Sequence, residues 1–249
     1  MNPIITILGP TATGKTRVAV LLAKHIGAEI ISADSRQIYK RMDIGTGKDL
    51  QDYTIDGVTI PYHLIDIEEP GKVSTVFQYQ KLAQNAIQNI QKRYKPVILC
   101  GGSGMYIEAL LKGYQSTPIP SIIFGIKGDR DEVRRRITLR LKERLNNGMI
   151  EEVQNLINEG VPIEQLYKYG LEYRFVMLYL TKQIDYNTMF QKLNTAIHQF
   201  SKRQMTWFRK MERAGFVIHW LDLAWSEGEK MEYLLKHASI TNFQETVNQ

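Results

Sequence analysis

The chain has 249 residues, 43% hydrophobic and 23% charged, which is ordinary globular usage with enough apolar material for one sizeable core. Its formal charge of +6 and isoelectric point near 9.2 favour a polyanionic partner. A single cysteine excludes a disulfide framework and a Cys-based zinc site, no apolar run approaches the roughly 18 residues of a membrane span, and MNPIITILGP lacks the basic region of a signal peptide, so a cytoplasmic setting is expected.

Ile4 to Leu8 is a short apolar run, followed by GPTATGKT and then by RVAVLLAKHI at helical spacing, so the first unit reads strand, loop, helix. GAEIISAD and YHLIDI are two further strand-like runs. After the break at Pro70 and Gly71, Ser74 to Tyr94 reads as an amphipathic helix with Ser74 as its N-cap, and KPVILCGG as a strand ending in glycines. KGYQSTPIP separates this part from the strand SIIFGIKG. Asp129 to Asn146, Met149 to Asn158 and Thr188 to Arg213 have helical patterns, and FVIHW reads as a last strand. Strands alternating with helices predict an α/β fold with a parallel, doubly wound sheet, its ligand sites beyond the C-terminal strand ends. Gly9, Asp34 and Gly101 fall at such ends.

The spacing G-x-x-x-x-G-K-T from Gly9 to Thr16 suits phosphate binding. Glycines let backbone N–H groups turn inward, and the following helix presents its positive end to the anion. Lys15 would neutralise the terminal phosphates and the Thr16 hydroxyl would bind Mg²⁺. Kinases, hydrolases and non-hydrolysing transferases all use such a loop, so it does not name the reaction. Asp34, with Ser35, Arg36 and Gln37 on the same rim, could coordinate a metal or accept a proton, or could simply cap the turn. Two basic segments could meet nucleic-acid phosphates or be solvated helix faces: Lys127 to Arg144 has eight Lys or Arg against four acids, Lys202 to Arg213 five against one. Trp207 and Phe208 read as core, and the five histidines, His63 among them, lack metal-ligand spacing.

GPTATGKT, SADSRQIYKRMDIGTGK, HLIDI and GGSGMYIEALLKG, then DRDEVRRRITLRLKERLNNGMIEEV and KRQMTWFR, stand in the order and approximate spacing of the tRNA dimethylallyltransferase family, which the chain resembles. The resemblance implies a P-loop NTPase-like doubly wound sheet with additional C-terminal helices. It also implies transfer of a dimethylallyl group from dimethylallyl diphosphate to the exocyclic amine of the adenosine beside the tRNA anticodon. Asp34, as general base, Thr11 and Lys15 are then the expected catalytic residues. The donor diphosphate would lie on Gly9, Pro10, Thr11, Ala12, Thr13, Gly14, Lys15 and Thr16. Asp34, Ser35, Arg36, Gln37, Ser103, Arg136, Arg140 and Arg203 would meet the tRNA, with Ser103 where the family usually has Thr. Mg²⁺ is the implied cofactor, and a monomer is expected.

The chain departs from the family in two places. Typical members carry a helical insertion that grips the anticodon stem-loop; here residues 114–128 bridge the gap, leaving one domain over residues 1–249. YGLEYR, Tyr169 to Arg174, replaces the family's Gly-Tyr-basic pattern, so Lys168 or Arg174 is the candidate for the diphosphate contact made there. A prenyltransferase acting on free adenine nucleotides, which needs no RNA grip, and a P-loop small-molecule kinase are the alternatives.

Overall fold

Strands that are apolar at every position call for cover on both faces. In the computed structural model, which describes residues 3–114 and 117–238, Ile4–Leu8 (β1) is buried throughout. Ile5 and Ile7 pack into one layer, Ile4 and Leu8 into the other, following the two-residue period of a strand. Five further strands extend the sheet: Glu29–Ser32 (β2), Tyr62–His63 (β5), Val97–Gly101 (β6), Ser121–Lys127 (β7) and Ile218–Asp222 (β8). Their order is β5-β2-β6-β1-β7-β8 and every pairing is parallel. Thr54–Ile55 (β3) and Val58–Thr59 (β4) form a separate antiparallel ribbon.

Helices cover both faces. Lys15–Ile26 (α1) packs into one layer with Arg130–Asn146 (α4), Met149–Asn158 (α5), the short Ile163–Leu166 (α6), Leu171–Leu180 (α7) and Glu227–His237 (α9). Val76–Gln91 (α2) and Gly104–Lys112 (α3) fill the other. The 28-residue helix Tyr186–Arg213 (α8) serves both, its Met189, Leu193 and Ile197 joining the first layer and Phe208 and Met211 the second.

The expected doubly wound sheet is present, with local differences. The N-cap of α2 is Thr75, in a reciprocal capping box with Gln78, so Ser74 lies outside the helix. YHLIDI forms only a two-residue strand, because Leu64 (φ 62°) and Asp66 (φ 56°) are left-handed and leave the ladder. His63 bonds Glu29 at 2.6 Å, a carboxylate that Arg93 also binds. Among the described residues no helix is long and apolar enough to cross a membrane.

Parallel strands bring their C-terminal ends to one rim. The chain leaves β1 at Gly9, β2 at Asp34 and β6 at Gly101 and Gly102, and these turns crowd together. A Cβ on Gly101 would sit 2.2 Å from the Ala33 carbonyl oxygen, a backbone clash that only glycine avoids.

Candidate active site

The loop Gly9–Thr16 closes around its own carbonyl. Thr13 Oγ1 and Lys15 Nζ both donate to the Pro10 carbonyl, each at 2.8 Å, while Ala12 (φ 64°) and Gly14 (φ 75°) take left-handed backbone. Gly14 caps α1 without a side-chain bond, leaving the helix's first N–H groups and its positive end available to an anion. Burial pushes the Lys15 ammonium down to about 8; Cys100 and Asp34 oppose the shift and Arg140 reinforces it. The Cys100 thiol, in the same wall, is pushed up to about 12 by burial and stays protonated.

Asp34 and Ser103 face this loop from the neighbouring strand ends. Asp34 Oδ1 accepts the Arg36 N–H at 3.0 Å, so the carboxylate does cap the turn, yet it also lines the cavity beside Lys15 and Thr16. Ser103 Oγ accepts the Ser35 N–H at 3.1 Å. Gln37 bridges Ser32 Oγ, at 2.8 Å, and the Gly47 carbonyl, at 3.0 Å. Arg36 pairs with Glu172 at 3.2 Å and lies 5.2 Å from the Phe200 ring centre, a cation–π distance.

The segment between Met42 and Asp49 forms the opposite wall. Glu152 of α5 accepts the backbone N–H groups of Asp43, Ile44 and Gly45 at 2.7, 2.7 and 2.9 Å and the Tyr173 hydroxyl at 2.7 Å. Lys48 is fully buried, bonded to the Tyr39 carbonyl and paired with Asp43 and Asp66. The buried Lys48 charge is paired, as burial demands, and the neighbouring Gly47 lies against α4. Gly47 is left-handed (φ 63°), and a Cβ there would lie 1.5 Å from Arg144 Nη2.

A cavity of about 90 Å³ runs between these walls. It brings together Thr11, Lys15, Thr16, Asp34, Ser35, Arg36, Gln37, Ser103 and Arg140, most of the residues singled out in the sequence. Of the expected phosphate-loop residues, Gly9, Pro10, Ala12, Thr13 and Gly14 are not in its lining, and Arg136, Arg203, Arg174 and Lys168 are not brought to it. Arg136 pairs with Glu132 at 2.7 Å, and Arg203 lies exposed beside Phe200. Arg174 is exposed on α7, while Glu172 of that helix lines the cavity; two residues rotate a helical side chain by about 200°. Lys168 is likewise exposed.

Among the lining residues that were not foreseen, Arg144 and Gln204 bear most directly on the chemistry. Arg144 is largely buried, its Nε has no hydrogen-bond partner, and burial together with Arg140 pushes it down to about 10; its signal was the four-residue spacing from Arg140, which shares a helix face. Gln204 of α8 clamps the site, accepting the Thr11 N–H and donating to the Gly102 carbonyl, both at 2.9 Å. Its signal was a polar residue within the buried stripe Ile197, Ser201, Phe208 and Met211.

The arrangement lines one cavity with Lys15 of the phosphate loop, the Asp34 carboxylate beside it, and Arg140 and Arg144 of α4. It can hold a dianionic leaving group while accepting a proton from an attacking group. A family model described as IPP transferase matches residues 37–121 and 115–211. The chain is 47% identical to tRNA dimethylallyltransferase 1 of Porphyromonas gingivalis, over 94% of this chain and 98% of that protein. It is 42% identical to tRNA dimethylallyltransferase 2 of Bacteroides fragilis, over 93% and 96%. These alignments run over 296 and 294 positions, more than the 249 residues here, so the relatives carry residues that this chain lacks. In fold it matches the full-length tRNA isopentenylpyrophosphate transferase of Bacillus halodurans, with TM-score 0.86 and 24% identity over the whole of both chains. It also matches a eukaryotic dimethylallyltransferase solved acting on tRNA, with TM-score 0.82 and 17% identity over 97% of this chain and 80% of that one. With the sequence motifs, the cavity and these relatives in agreement, the chain belongs to the IPP transferase family.

Proposed function

We propose that this protein transfers a dimethylallyl group from dimethylallyl diphosphate to the exocyclic amine of the adenosine beside a tRNA anticodon, releasing diphosphate. The observation that carries the chemistry is a single cavity lined by Lys15 of the phosphate loop, by Asp34, and by Arg140 and Arg144, the last with a buried Nε that has no hydrogen-bond partner among the described residues. In the transfer the donor's C–O bond breaks and the amine nitrogen bonds to the allylic carbon. The amine proton passes to Asp34 and the electron pair leaves with the diphosphate. Loop N–H groups, Thr11, Lys15 and Arg144 meet that developing charge, and Arg144 takes the role for which Arg174 was the sequence candidate. The adenine reaches the site by leaving its stack, with Ser35, Arg36, Gln37 and Ser103 around it and Arg136 and Arg203 further out on the RNA side.

The Thr16 hydroxyl lines the cavity with no hydrogen-bond partner among the described residues, which fits a ligand for Mg²⁺. No group of three or more His, Cys, Asp or Glu among the described residues could hold an ion alone, so the ion would share diphosphate oxygens and water. When bound it supplies further positive charge to the leaving oxygens.

The names of the relatives at 42–47% identity weigh against free-nucleotide prenylation and against kinase chemistry. The residues that the relatives carry in excess are read as the anticodon-gripping insertion, since the two matched segments of the family model meet at residues 115–121. The chain is accordingly read as a single domain acting as a monomer.

The test offers dimethylallyl diphosphate and Mg²⁺ with both an unmodified anticodon stem-loop and free AMP, and reads products by mass spectrometry. Prenylated RNA is expected; prenylated AMP alone would overturn the reading.

A further inference from the structure

Asp49 ends the segment that forms the wall opposite the phosphate loop, and its side chain has no local duty. It takes left-handed backbone (φ 44°, ψ 53°) just before the short 3₁₀ turn Leu50–Tyr53, the place of an N-cap, yet makes no side-chain cap bond there. The carboxylate reaches α4 instead, where it bonds Arg140 and lies 3.9 Å from Arg144 Nη2. Both arginines line the cavity with Lys15, while Asp49 itself is outside the lining.

Two guanidiniums four residues apart on a helix repel each other, and burial adds to the cost of their charge. Arg144 is accordingly pushed down by burial first and by Arg140 second, while Glu172 and Asp49 oppose the shift. The other acids at the cavity have separate engagements: Asp34 accepts the Arg36 N–H and Glu172 pairs with Arg36. Asp49 is the acid that ion-pairs with both Arg140 and Arg144.

An anion behind the arginines acts on anything bound in front of them. Its field subtracts from theirs at the cavity, so a bound diphosphate is held less firmly than the same cations would hold it without Asp49. A product gripped too firmly delays the next turnover, because release can limit the rate. We propose that Asp49 is a positioning residue that sets the firmness of the diphosphate grip, directing Arg140 and Arg144 toward the cavity while tempering their charge so that the product leaves; the inference rests on the donor-site reading above.

Asp49→Asn tests this, because asparagine tolerates left-handed backbone and its oxygen still accepts an Arg140 N–H, so the charge alone is removed. The control is Asp56→Asn, which removes the same charge from an exposed, also left-handed aspartate (φ 50°) that pairs with Lys24. Binding of inorganic diphosphate with Mg²⁺ is measured by calorimetry and binding of a labelled anticodon stem-loop by anisotropy. Prenylation of the stem-loop is followed under single and multiple turnover. Asp49→Asn should bind diphosphate about 5- to 30-fold more tightly, the size expected when one like charge near a multivalent anion is removed, and added salt should shrink the gain. Its single-turnover rate should stay within about threefold of wild type, whereas multiple turnover should slow after a burst of first product. The control should match wild type in each measurement.

Diphosphate affinity in Asp49→Asn equal to or below that of the control would overturn the proposal. Tighter binding of the stem-loop with diphosphate binding unchanged would do the same, by assigning Arg140 to the RNA. A single-turnover rate that falls as far as the multiple-turnover rate also refutes it, by assigning Asp49 to the chemical step. A wild-type chain that binds no diphosphate sinks the donor-site reading and this proposal with it. A wild type that binds it, beside an Asp49→Asn variant that gains nothing, sinks the Asp49 proposal alone.

Discussion

Asp34 has two possible roles, as a turn cap and as a proton acceptor, and the geometry allows them to be separated. Oδ1 accepts the Arg36 N–H at 3.0 Å, an interaction that an asparagine side chain can reproduce, but asparagine cannot take a proton. Asp34→Ala removes both functions. Loss of the cap bond should cost about 1 kcal/mol, lowering Tm by about 2–4 °C in a chain of this size. Loss of the base should lower turnover by about two to four orders of magnitude, or about 3–5 kcal/mol of barrier. Asp34→Asn should show the full loss of turnover with Tm within about 1 °C of wild type, because an asparagine oxygen can still accept the N–H bond. Turnover is read at saturating stem-loop and donor, Tm by calorimetry, and donor affinity by titration, which should be nearly unchanged in both variants. If Asp34→Asn turns over within about threefold of wild type while Asp34→Ala is slow and destabilised, the carboxylate is a cap and the assignment of the base is wrong.

Three other outcomes follow from the same geometry. Burial holds Lys15 at about 8 in the free protein and a bound diphosphate favours its charged form, so binding should take up a proton near pH 8 and weaken as pH rises through that value; calorimetry in two buffers of different ionisation enthalpy reads the uptake, and its persistence in Lys15→Met would show that another group titrates. Gln204→Ala leaves the Thr11 N–H and the Gly102 carbonyl without their partner, which should cost about 2–4 kcal/mol and reduce kcat/KM at least about tenfold; an unchanged melting curve would show that the clamp contributes nothing. Glu152→Ala strips three backbone N–H groups and the Tyr173 hydroxyl of their acceptor, so limited proteolysis should cut faster between Met42 and Asp49, and a wild-type digestion rate would refute the anchoring role.

Much of the site was legible because its signals are local. A strand, a glycine loop and a helix in immediate succession already specify a phosphate cradle, and a carboxylate directly after the second strand must fall on the same rim of a parallel sheet. Chain order alone therefore put Lys15, Thr16, Asp34 and Gly101 near one another, the family resemblance added Ser103, and the alternation of apolar runs with helical spacings predicted the doubly wound sheet. The local pattern misjudged YHLIDI, where hydrophobicity suggested a full strand but Asp66 turns back to pair with buried Lys48.

What tertiary structure decided is which face of each helix looks inward. Arg136, Arg140 and Arg144 recur every four residues and are equivalent as sequence, yet packing of α4 sends Arg140 and Arg144 into the cavity and leaves Arg136 with Glu132. Arg174 and Glu172 are separated in the same way by the facing of α7. Gln204 reaches a loop 193 residues away in the chain, and Glu152 anchors a segment more than a hundred residues distant. A polar side chain in a buried stripe shows that a partner must exist, because burial without one is costly. Only the folded chain shows which backbone groups provide it.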